Sequence, residues 1–72
     1  MGAAWALLAD PKCVLEVEAD KLKALLDKLG VESAVDLEDL LTVDGWEEEM
    51  VPITACLKMA KKAAFRRLLG LP

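Results

Sequence analysis

The sequence predicts an all-α domain, a compact five-helix bundle that closes on a long C-terminal helix. Three observations carry this expectation. Apolar residues, mostly Leu, Ala and Val, make up 56% of the chain. They recur at spacings of three and four rather than two, which lines them along one side of a helix. Each such run is bounded by a Ser or Thr, a Gly or a Pro, the residues that start and stop helices. Seventy-two residues make one domain, and a chain of this size buries only about 60% of the surface its unfolded form exposes. A dense helical core answers that difficulty. Repeats, low-complexity tracts and Ser- or Gly-rich linkers are absent from the sequence.

The first element is a short helix or arm within residues 1–14, expected to pack on the domain through Trp5. It is apolar from Met1 to Ala9 and breaks at Asp10-Pro11. No basic residue precedes the apolar run, so it reads poorly as a secretory leader. Ala6 stands where a myristoylation motif has Ser or Thr. No stretch reaches the roughly 20 apolar residues of a membrane helix, and no membrane association is expected.

A helix is predicted over residues 15–29. The alternation of Val14-Leu15-Glu16-Val17-Glu18 runs straight into a pattern that places Leu15, Ala19, Leu22, Leu25, Leu26 and Leu29 on one face. Gly30 ends it as a C′ residue, the position where the chain turns left-handed. Ser33, with Asp36 three residues on, forms a variant of the capping box, and Leu37, Leu40 and Leu41 give the next helix its apolar face. Thr42 then caps a very short helix, with Asp44 in the first turn and Trp46 and Met50 buried. Pro52 closes it, because proline disfavours helical geometry in the residue before it.

Thr54 is the expected cap of the last helix, residues 55–69, which Gly70 and Pro72 terminate. A wheel of 100° per residue puts Cys56, Leu57, Ala60, Ala63, Ala64 and Leu68 on one side. Lys58, Lys61, Lys62 and Arg66 fall on the other. Phe65 and Leu69 land among the cations, where the N-terminal segment is expected to cover them. Arg67 falls on the apolar side and near enough to the helix end to snorkel to water.

Composition excludes most chemistry. There is no His and no Tyr, and Trp5, Trp46 and Phe65 are the only aromatics. The usual general base and the commonest metal ligand are therefore missing. Cys13 and Cys56 are too few for a Cys/His zinc cage, and without a His partner neither is an activated nucleophile. They read as buried reduced thiols, pointing to an intracellular, cytoplasmic-type compartment. The only serine, in Glu32-Ser33-Ala34, lacks the Asp-Ser-Leu setting of a carrier-protein attachment site. No enzyme activity, cofactor or metal is expected.

Charge is the most informative functional feature. Residues 1–50 hold all thirteen acidic residues and four lysines, a net of −9. Residues 51–72 hold five basic residues and no acid, a net of +5. Unlike surfaces on one molecule attract between copies, and contacts of that kind do not close unless geometry makes a ring. The same charges also serve ordinary solvation of helical faces.

The run Leu25-Leu26-Asp27-Lys28-Leu29-Gly30-Val31-Glu32-Ser33, followed by Asp36-Leu37-Glu38-Asp39-Leu40-Leu41-Thr42-Val43-Asp44, resembles the first half of a sterile alpha motif (SAM) domain. The likeness spans roughly residues 15–70 and implies a five-helix fold that acts in protein–protein interaction. In such domains an acidic mid-domain surface of one copy meets the start of the basic last helix of the next. The resemblance thus implies an acidic side of Asp36, Glu38, Asp39, Asp44, Glu47, Glu48 and Glu49, and a basic side of Lys58, Lys61, Lys62 and Arg66. Two departures fall where such contacts commonly lie. Glu48-Glu49-Met50-Val51 stands in place of a Leu-Gly-Ile, and Thr54-Ala55-Cys56 in place of a Gly-His-Arg.

The expected partner is a protein, a second copy or a similar domain. A helical adaptor of another class, such as a death-fold-like bundle binding a helix or tail, is the alternative, although six helices normally need a longer chain. Some SAM domains bind RNA hairpins through the last helix, and Lys58, Lys61, Lys62, Arg66 and Arg67 supply cations for phosphates. A net charge of −4 and the lack of a second basic wall argue against nucleic acid.

Overall fold

Five helices follow one another in the computed structural model, which describes residues 2–71. They are α1 (Ala3–Ala9), α2 (Ala19–Leu29), α3 (Ala34–Leu40), α4 (Trp46–Thr54) and α5 (Met59–Leu69). A 3₁₀ turn, Glu16–Glu18, leads into α2. The radius of gyration is 10.9 Å, against about 11 Å for a compact chain of this length. α1 packs on α3 and α5, α2 on α4, and α4 on α5. The core gathers Leu8, Val14, Leu22, Val31, Leu37, Met50, Ile53, Cys56, Leu57 and Phe65.

Two helices end as their glycines foretell. Gly30 takes φ +76° and Gly70 φ +75°, left-handed values that cost glycine nothing. In each case the ending is a Schellman motif. The Val31 N–H donates to the Leu26 carbonyl at 2.9 Å and the Gly30 N–H to Asp27 at 3.1 Å, with matching bonds from Leu71 to Arg66 and from Gly70 to Arg67. The buried Val31 completes the first motif's apolar contact. The expected stop at Pro72 lies outside the described residues. Ser33 caps α3, its Oγ accepting from the Asp36 N–H at 3.4 Å. Asp36 Oδ2 accepts from the N–H of Glu32, at 3.0 Å, rather than from the cap residue itself.

Four expectations about helix boundaries and caps are corrected. The helix predicted over 15–29 begins only at Ala19, because Val14 is drawn into an isolated antiparallel bridge with Leu57. The Leu15 N–H donates to the Cys56 carbonyl and the Lys58 N–H to that of Cys13, both at 2.9 Å. Leu15 and Ala19 are consequently exposed, and Leu22 alone of that face is buried. Next, Thr42 caps nothing: its hydroxyl donates back to the Asp39 carbonyl at 2.7 Å, and Gly45, at φ +84°, is the N-cap of α4.

Pro52 lies inside α4 instead of ending it. Its missing N–H removes one helical bond, to the Glu48 carbonyl. Burial of Met50, Ile53 and Thr54 on the same helix outweighs that loss. Finally, Thr54 belongs to α4, where its buried hydroxyl donates to the Met50 carbonyl at 2.7 Å. Lys58 is the N-cap residue of α5, which spans 11 residues because Ala55 is the C-cap of α4 and residues 56–58 are committed to the bridge.

With the shorter α5 comes a different buried face. Phe65 is fully buried while Leu68 is 48% exposed, and Ala60 and Ala63 are exposed as well. The wheel set three small alanines against one aromatic, and the aromatic decides the orientation because it removes far more apolar area from water. α1 does pack against α5 there, and Leu69 and Trp5 are half-buried against the core.

Candidate functional site

The structure distributes the predicted acidic residues over α3, the α3–α4 turn and the first turn of α4. Asp36 and Glu38 are half-buried on α3, whereas Asp39 and Asp44 are exposed at its end and in the turn that follows. Glu47, Glu48 and Glu49 occupy the first turn of α4, where carboxylates are favoured by the helix dipole. All three are exposed. On the basic side Lys58 and Lys61 are exposed and Lys62 is half-buried. The first turn of α5 contains no acidic residue and no side-chain cap, so its positive dipole end meets Lys58, Lys61 and Lys62 without local compensation.

An open groove of about 600 Å³ runs between α4 and α5. Glu47 and Glu48 stand on its α4 wall, Lys62 and Arg66 on its α5 wall, and Val51, Thr54, Ala55 and Leu71 complete it. Four of the predicted residues are therefore brought to one concavity. Asp36, Asp39, Asp44, Lys58 and Lys61 lie outside it. Glu38 lines a smaller hollow of about 270 Å³ with Ala3, Ala4 and Trp5 of α1 and Leu68 and Leu69 of α5. Among the described residues, no Asp or Glu oxygen lies within 4.0 Å of the side-chain nitrogen of Lys58, Lys61 or Lys62.

The apolar floor of the groove escaped the sequence reading. Val51, 67% exposed, follows Glu47 by four residues and precedes Ala55 by four. The stripe is readable only if the helix is carried through Pro52.

Both thiols are buried and free. The Cys56 sulfur donates to the Pro52 carbonyl at 3.4 Å, satisfying an acceptor near the end of α4. Burial pushes this thiol above its ordinary pKa; Glu18 adds to the rise and Lys21 offsets part of it. No group of His, Cys, Asp or Glu among the described residues is arranged to hold a metal ion. No described helix is long and apolar enough to cross a membrane. Comparison with known protein families, curated proteins and solved structures finds no match for this chain.

Proposed function

We propose that this chain is a SAM-like protein-interaction module, self-associating or pairing with a similar domain through its acidic α3–α4 surface and its basic C-terminal helix. One observation carries the reading: among the described residues Lys58, Lys61 and Lys62, at the start of α5, have no close carboxylate partner, while Asp36, Glu38, Asp39 and Glu47 to Glu49 lie on α3 and α4. Charges left uncompensated within one copy are available to another. The resemblance of residues 15–70 to SAM domains agrees with this role, as does a five-helix architecture of this length.

Sedimentation at two salt concentrations tests the reading. Association should weaken as salt rises, because exposed charges are screened beyond about 8 Å at 0.15 M. Lys61→Glu combined with Lys62→Glu should abolish it while the helical circular dichroism is retained. A strict monomer at high concentration in low salt refutes self-association. Retarded migration of structured RNA, with affinity falling linearly in log salt, favours nucleic acid instead.

A further inference from the structure

We infer that the groove between α4 and α5 seats a second copy of this chain in a closed two-fold dimer, acidic wall against basic wall. The inference rests on the self-association reading above and names its geometry. A two-fold contact brings the same patch of both copies together, so that patch must be complementary to itself. A uniformly acidic or basic surface fails that condition. The groove meets it: Glu47 and Glu48 come from α4, Lys62 from α5, and Val51, Ala55 and Leu71 add apolar surface to the same lining. A two-fold axis running parallel to the groove sets the α4 wall of each copy against the α5 wall of its partner, forming every attraction twice.

The apolar strip lies where such a contact has its centre. Val51 is left 67% exposed in the single chain, and an apolar centre rimmed by charge is the usual anatomy of an interface. By contrast, a contact between Asp36 or Asp39 of one copy and Lys58 or Lys61 of the next uses two different patches. Repetition of that contact gives an open series rather than a pair. A standard interface takes about 800 Å² from each partner, roughly a sixth of this domain's 4810 Å² surface.

Sedimentation velocity and native mass spectrometry of the full chain, over a concentration series in low salt, test the inference. The mass should saturate at two chains. Glu48→Lys alone should weaken dimerisation at least tenfold by placing cations on both walls, and Lys62→Glu alone should do the same with acids. Mixing these two variants should restore a 1:1 dimer, because each regains both attractions in the other. Val51→Asp should abolish the dimer with helicity unchanged. Should the half-buried Lys62 not tolerate its substitution, Glu48→Lys and Val51→Asp, both at exposed positions, decide the matter. Growth beyond two chains overturns the closed dimer while leaving self-association standing; monomer at every concentration overturns both. A dimer indifferent to Glu48 and Val51 overturns the groove as its seat.

Discussion

Truncating Phe65 separates the two possible orientations of α5. The side chain is fully buried, belongs to the central cluster and lies on the helix that α1 covers. Phe65→Ala should therefore cost about 3–5 kcal/mol, the range for emptying an enclosed aromatic site. A domain of 72 residues is stable by about 4–11 kcal/mol at the usual 0.05–0.15 kcal/mol per residue. The substitution therefore removes about a quarter of the total or more. Because 1 kcal/mol shifts the melting point of so small a domain by about 4–8 °C, the fall should be at least about 12 °C. Leu68→Ala, at a site 48% exposed, should lose only a fraction of this. Urea titrations followed by circular dichroism and by the fluorescence of Trp5 and Trp46 measure both. Phe65→Leu, which retains much of the volume, should fall between them and serves if Phe65→Ala does not fold. Equal losses for Phe65→Ala and Leu68→Ala, or a larger one at Leu68, would refute the packing described and return α5 to the orientation its wheel suggests.

Two further outcomes are expected. Pro52→Ala should stabilise the domain, by up to about 3 kcal/mol, since it restores the bond to the Glu48 carbonyl and removes the ring from a helix interior; a lower urea midpoint would show that Pro52 holds α4 by other means. Cys56 makes stability depend on alkaline pH. Its folded thiol titrates above the ordinary value of 9.0, so the unfolded chain loses the proton first and the folded state loses stability as pH rises past about 9. This contribution is intact at lower pH, and Cys56→Val should flatten the decline between pH 8 and 10; an unchanged slope in the variant would remove Cys56 as its source.

Local chemistry was legible in the sequence where it acts within a few residues. Gly30, Gly70 and Ser33 declare their roles because a left-handed turn or a capping hydroxyl is settled by neighbours within one helical turn. The misplaced boundaries share another cause. Leu15 leaves its expected helical face, and α5 starts four residues late, because Val14 pairs with Leu57 across most of the chain, and no window of sequence contains both. Pro52 misled for an energetic reason: a bias against helix in the preceding residue is smaller than the gain from burying Met50 and Ile53 together. The candidate site was legible as a sorting of charge along the chain. Its grouping was not, because the presence of Glu48 and Lys62 on the walls of one groove depends on how α4 and α5 lie against each other. The apolar strip through Val51 was hidden behind the proline.

The pairing of Val14 with Leu57 has a consequence for the order of assembly. Helix α1 is made before α5, yet the surface that shelters it includes α5. While the nascent chain is still short, Leu8 and Val14 lack their final neighbours, and no early fragment contains a finished core. Folding should therefore wait until α5 has been made and then occur in a single cooperative step. A chain cut ahead of α5 should remain open to proteases along its whole length.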